Sequence, residues 1–350
     1  MLADRKKAAL FGLYIADAVA MPVHWMYDLR QLRMDYGKVT GYVKPKDKFS
    51  GSIMNLSNTG GGGRGAFTGS IIGDVINHGK KQYWVRGANF HYHLGLHAGE
   101  NTLEAKICRL LTTTISSNKG TFDSDQFLKN YVQYMTTPDT HNDTYAATAH
   151  RMFFANYIQK LPLEACADND GHNTDSIDGL TLCVPIILHS YNGQEEGPAR
   201  DEIKSQARAV IKTLRKSGAL FLYSDALTDL LCDVLGGKDL RLSLESCGSK
   251  YLHGSVKEMV ESSNGADPMV ACYIQSSFPA FLHFCYKYAD DMEAAILANA
   301  NAGGENVARG SLIGAVFGAN VGGGEEMKGW MVEGLYHRAE IQEEIEKFIA

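Results

Sequence analysis

The chain has 350 residues, 45% of them hydrophobic and 21% charged, an ordinary globular composition with enough apolar material for a large core. A formal net charge of −6, with no basic run or basic helix face, excludes a nucleic-acid footprint, and no stretch reaches the roughly 18 to 20 apolar residues of a membrane span. Seven scattered cysteines, odd in number and without a Cys-x-x-Cys pair, predict reduced, buried thiols in a cytoplasmic protein.

In chain order, DRKKAALFGLYIADAVAMP (residues 4–22) has the basic start, apolar run and Ala-x-Ala of a leader peptide. Asp17 before that triplet, and Gly12 and Tyr14 within the run, argue against one. Residues 37–70 lack periodicity. KVTGYV (38–43) is a short extended candidate, and SNTGGGGRGAFTG places Arg64 among glycines. A loop this long in a compact domain is usually functional or mobile. Gly-rich backbone can approach an anion closely, and Arg64, Lys80, Lys81 and Arg86 could supply charge. A plain surface loop has the same composition, and the spacing fits neither a P-loop nor a dinucleotide fingerprint.

Beyond residue 97 the periodicity is helical. HAGENTLEAKICRLL (97–111) starts a helix at Gly-Glu-Asn. DQFLKNYVQYM spaces Phe127, Leu128, Tyr131 and Tyr134 along one face, and TYAATAHRMFFANYIQ does the same with Ala149, Met152 and Phe153. Further helices are predicted near 176–190, 200–216, 219–235, 267–286, 289–300 and 306–320. A last one carries Leu335, Ile341, Ile345 and Ile349 and packs either within the chain or on a partner. With few strand signals and no linker, the expectation is an all-α fold, one compact helical domain over 1–350.

Four clusters could carry chemistry. Gly-Glu-Asn recurs, as Glu100-Asn101-Thr102 and as Glu305-Asn306, each at a helix start where an acid suits the dipole. One copy reads as a capping turn. Two copies offer oxygens that could converge on a hard cation or form a carboxylate pair. DNDGHNTDSIDG gathers Asp168, Asp170, His172, Asn173, Asp175 and Asp178 but misplaces the glycine of a calcium loop. His91, His93 and His97 form a histidine cluster without zinc-site partners, with His24, His141 and His150 elsewhere. HNDTY (141–145) packs His141 and Asp143 before a helix, where a cap accounts for one residue only.

Together these stretches resemble the ADP-ribosylglycohydrolase family, on the branch that includes the lens J-crystallins. GLYIADAVAMPVHWMYD is similar to that family's opening G-x-x-x-G-D-A-x-x-x-P helix. AGENT falls where the family has T-D-D-T, and GHNTDSIDG where it has a Thr-His-x-His-Pro-like segment. GGENVARGSLIGAVFGA falls where it has G-G-D-x-D-T and a Gly/Ala-rich helix. The resemblance implies an all-α orthogonal bundle, hydrolysis of an ADP-ribosyl or related ribosyl bond, and Mg²⁺ (or Mn²⁺) between the two acidic segments. It assigns Glu100, Asn101, Thr102, Glu305 and Asn306 to the metal. Glu100, Glu305, Asp17, Asp143 and His172 take catalytic roles, and His24, Arg64, His141, Asn173, Asp175 and Arg309 take substrate contacts.

The departures predict weak metal binding or none. Asn101 replaces an aspartate, Val307 and Ala308 replace an aspartate and a threonine, and His24 stands where an acid is common. Ligand charge sets affinity for a hard dication, so losing two acids removes much of it. Three readings stay open: a hydrolase with an altered centre, an inactive crystallin-like structural protein, and an ADP-ribose or nucleotide-binding module.

Overall fold

The computed structural model describes residues 1–52, 54, 69–85, 87–193, 197–322 and 327–350; Arg64, Arg86 and the Gly60–Gly63 run lie outside them. Among the described residues there are fifteen α-helices and no strand. In order they are α1 (Leu2–Ala20), α2 (Leu29–Tyr36), α3 (Leu103–Ser117), α4 (Ser124–Thr136), α5 (Thr148–Ile158), α6 (Cys183–Ser190), α7 (Pro198–Leu214) and α8 (Ala219–Leu235). There follow α9 (Leu240–Cys247), α10 (Val256–Ser262), α11 (Ile274–Lys287), α12 (Met292–Ala302), α13 (Val307–Val321), α14 (Gly329–Glu333) and α15 (Arg338–Ile349). The all-α expectation holds. Residues 38–43 form no strand, and the segment expected near 176–190 divides into a 3₁₀ turn, Ile177–Leu180, and α6.

Two stripes of small residues determine the centre. Ala8, Gly12 and Ala16 recur every four residues on α1, and Gly310, Gly314 and Gly318 do so on α13. This i, i+4 spacing puts each stripe on one helix face. A Cβ on Gly12 would lie 2.0 Å from the Gly314 carbonyl oxygen, and one on Gly314 would lie 1.9 Å from that of Gly12. A Cβ on Gly318 would lie 2.0 Å from the Ala8 oxygen. The two backbones therefore touch, running antiparallel. Their packing brings Asp17 and the turn after α1 to the N-terminus of α13, and with it Glu305.

The C-terminal helix packs within the chain. α15 buries Ile341, Ile345 and Phe348, and Glu344 and Glu340 accept hydrogen bonds from Arg109 of α3 at 2.6–2.9 Å. Each apolar side chain contributes about 2 kcal/mol, more than a partly exposed ion pair does. All seven cysteines are unpaired thiols, six of them buried. No helix among the described residues is long and apolar enough to cross a membrane.

Candidate active site

Two loops clamp each other at the α1–α13 end. The Trp25 N–H donates to the Gly304 carbonyl at 2.9 Å, and the Gly304 N–H donates to that of Met26 at 2.8 Å. Gly303 and Gly304 both have positive φ, 67° and 66°. A Cβ on either would strike a carbonyl oxygen, of Met26 at 2.3 Å or of Val270 at 2.5 Å, so only glycine fits. Trp25 itself sits at φ 56°, rare for a bulky residue and a place where backbone strain is held by the surroundings.

That strain aims the Trp25 indole at Glu305. Its N–H donates to Glu305 Oε2 at 2.6 Å, and the His24 Nε2 contacts the same oxygen at 3.2 Å. Oε1 accepts the Ala308 N–H at 3.0 Å, in the first turn of α13. A carboxylate offers about four acceptor positions. Three are occupied, and the remaining one is on Oε1.

From His24 the contacts continue inward. His24 Nδ1 meets His93 Nε2 at 2.7 Å, and His93 Nδ1 meets Asp143 Oδ1 at 2.8 Å. Asp143 also accepts the Tyr145 N–H at 3.2 Å and, on Oδ2, the Leu103 N–H at 2.8 Å. The last is an otherwise unpaired donor at the positive end of α3. Asp143 therefore caps a distant helix, not the one it precedes in sequence. Burial alone would raise its pKa, but the charge and hydrogen bond of His93 and the Leu103 N–H outweigh that and bring it down to about 2. His91 stands apart as a neutral ring: it bonds the Pro22 carbonyl, accepts the His93 N–H, and is lowered to about 3 by burial.

A small cavity of about 30 Å³ opens onto His24, Trp25, His93, Asp143, Tyr145 and Glu305. Its space is that of about two water molecules. Trp25 stacks on His24 with ring centroids 4.1 Å apart and meets Tyr92 and Tyr145 edge-on. No Lys or Arg lines the cavity among the described residues.

The second Gly-Glu-Asn has the same backbone and a different outcome. Gly99 has φ 77°, and a Cβ there would lie 2.1 Å from the Gly334 oxygen. Asn101 Nδ2 donates to the Tyr14 carbonyl at 2.7 Å and to Asp17 at 2.9 Å. The Thr102 N–H and Oγ1–H also donate to Asp17, at 2.9 and 2.6 Å. Burial raises the Asp17 pKa to about 6 in spite of these donors. Glu100 faces away from the cavity. Its Oε1 accepts Lys106 Nζ at 2.6 Å, and its Oε2 accepts the His97 N–H and contacts His97 Nδ1, both at 3.0 Å. Burial would raise its pKa, but the Lys106 ammonium outweighs this and lowers it.

Of the other sequence candidates, Thr102 and Asp178 also line the cavity, Asp178 paired with the Arg215 guanidinium, and those that follow lie off it. His172 is exposed and bonds the Tyr273 hydroxyl at 2.7 Å. Asn173 bonds Asp170, and Asp175 accepts from Ser217. His141 stacks on Tyr134, and burial lowers its pKa to about 4. Arg309 is fully buried and holds Asn299 and the Gly303 carbonyl, which makes it a support of the Gly303–Glu305 loop. Arg64 falls outside the described residues. In the sequence His93 is one member of a histidine cluster open to a general acid–base or substrate-contacting role, and Trp25 carries no signal of its own. A larger cleft of about 310 Å³ lies elsewhere, and Asp229 and Asp233 pair with its cations Arg200, Lys204 and Lys250.

The described residues do not fit the magnesium centre that the resemblance implies. Such ions need several charged oxygens converging on one point. Among the described residues no three His, Cys, Asp or Glu side chains group to hold a metal. Glu100 is bound to an ammonium. Asn101 and Asn306 turn their amide N–H groups to backbone carbonyls, Asn306 to those of Val23 and Ala300. Their Oδ1 atoms are buried without partners, but these oxygens are uncharged.

Residues 1–350 match the sequence model of a family described as ADP-ribosylglycohydrolase. No match to a curated protein is found. A solved structure described as "ADP-ribosylglycohydrolase-related protein complex" superposes with a TM-score of 0.62 at 18% identity, over 99% of this chain and 98% of that one. That is a likeness of fold.

Proposed function

The chain belongs to the ADP-ribosylglycohydrolase family, and on that premise we propose that it hydrolyses a glycosidic bond of an ADP-ribosyl or related ribosyl substrate at an altered centre. The family acts on ADP-ribosyl substrates and is generally metal-dependent. This chain's own motifs place it, in our reading, on the J-crystallin-like branch, as one domain over 1–350 in a reducing, cytoplasmic setting. Mg²⁺ or Mn²⁺ is then weakly held or absent.

The observation that supports the reading is Glu305. It is a buried carboxylate on the cavity wall, tethered through three acceptor positions and open at the fourth. A group so placed acts as general base toward a water and then as general acid toward the leaving atom, a role that contributes typically 10²- to 10⁴-fold. Asp143 backs His93 and fixes α3, and Asp17 holds the Asn101–Thr102 turn beside it. Glu100 is a support in this reading, through Lys106, and His172 takes no part in the chemistry.

The test is turnover by the purified chain of a panel of N- and O-linked ADP-ribosyl and ribosyl conjugates, with and without added Mg²⁺ or chelator. Release of ADP-ribose or ribose from at least one is expected. No release under any condition overturns the reading and leaves a binding module or a structural protein.

A further inference from the structure

We infer that Glu305, His24, His93 and Asp143 form one buried chain holding three protons in three hydrogen bonds, a carboxylate–imidazole–imidazole–carboxylate unit standing where the resemblance puts a dication. The three contacts are 3.2, 2.7 and 2.8 Å, and all four residues are at most 6% exposed. Bulk water therefore does not compete for them.

Proton counting gives the rest. Each contact joins two atoms that can both accept. With no proton two lone pairs would oppose each other, and with two protons the hydrogens would clash, so each contact holds one. Asp143 already accepts two backbone N–H groups and is the acceptor in its contact, so His93 Nδ1 carries a proton. One further proton lies between His93 Nε2 and His24 Nδ1, and one between His24 Nε2 and Glu305. The indole N–H of Trp25 and the amide N–H of Ala308 both point at Glu305 and favour its ionised form. The two imidazoles then share three protons and one positive charge, and the unit carries a net charge of −1. His91 adds nothing, because both its nitrogens are bonded outside the chain.

The shared imidazolium thus does the electrostatic work of a cation. It keeps two buried carboxylates ionised, which an apolar site would otherwise oppose. The loss of acids at Asn101 and Val307 is consistent with this, since one positive charge balances fewer carboxylates than a dication would. The chemical consequence rests on the hydrolase reading. A water O–H bond breaks and its proton goes to the open position on Glu305. The hydroxyl oxygen bonds the anomeric carbon, the bonding pair leaves with the acceptor atom, and that atom takes the proton from Glu305. Water and substrate become sugar and protonated leaving group, with the chain restored. His24 and His93 are positioning residues in this scheme and do not themselves react.

The experiment is ¹⁵N NMR of the full-length chain labelled at histidine, before and after millimolar Mg²⁺. For His24 and His93 the expected result is three protonated ring nitrogens out of four. One proton is shared between the rings and shows coupling to both nitrogens, and Mg²⁺ leaves these signals unmoved. Two bare inner nitrogens, uncoupled rings, or a saturable Mg²⁺ shift would overturn the proposal. The variant His93→Gln should lose the shared-proton signal and lower kcat about 100-fold with KM little changed. If that variant fails to fold, the wild-type spectrum still decides. A wild type that shows the chain but turns nothing over removes the hydrolase reading alone. A wild type that turns over without the chain removes this proposal alone.

Discussion

The segments Gly303–Asn306 and Gly99–Thr102 invite comparison because they share Gly-Glu-Asn and start α13 and α3. In both, a glycine at positive φ lets the backbone press on a distant carbonyl, and the asparagine donates to buried carbonyls. The glutamates part ways. Glu305 turns into the cavity against Trp25 and His24, while Glu100 turns to Lys106 and His97. The repeated motif thus encodes a backbone device, and the neighbours of each copy determine the use of its carboxylate.

That backbone equivalence can be broken directly. Gly99→Ala and Gly304→Ala should each cost about 3 kcal/mol in urea unfolding, since both add left-handed strain and a clash with a carbonyl. A cost at only one site would show that the two turns are not the same device. Glu100→Gln should lose a similar or slightly smaller amount, about 3 kcal/mol, by leaving the Lys106 ammonium buried and unpaired.

The two sides should also respond oppositely to pH. Asp143 has a folded pKa near 2, below the ordinary 3.8. The folded state holds its proton less tightly, so its contribution of about 2 kcal/mol is present above pH 4 and is lost as pH falls from about 4 to 2. Asp17, beside Asn101 and Thr102, is raised to about 6. The folded state holds its proton more tightly, so its contribution is full below pH 4 and is lost as pH rises from about 4 to 6. Unfolding free energies across pH 2–7 should show both slopes, and Asp17→Asn should remove only the upper one. The smallest effect belongs to His172→Ala, on an exposed loop, with stability expected within about 0.5 kcal/mol of wild type. A large loss of turnover there would return that loop to the chemistry.

Much of this was legible in the sequence. The sequence marked α4, α5, α7, α8, α12 and α13, because each is long enough for a bounded run rich in apolar residues to show. The helices α2, α9 and α10 are too short for that, and only their caps Asp28, Asp239 and Ser255 signal them. Glu305, Asp17, Asp143 and His24 could be singled out by type and motif. The partnership of Glu100 with Lys106 could not, because six residues apart is no helical pairing distance. Nor could Trp25, whose place depends on a backbone angle that residue type does not announce. His93 needed its two partners, from 69 residues before it and 50 after it, brought together by packing.

The most direct measurement pairs Glu305→Gln with Glu100→Gln, reading kcat on the same ADP-ribosyl substrate per folded molecule. We expect Glu305→Gln to lose about 10³-fold and Glu100→Gln to stay within a few-fold of wild type. Equal losses, or the larger loss at Glu100, would contradict the assignment of the chemistry to the α13 side.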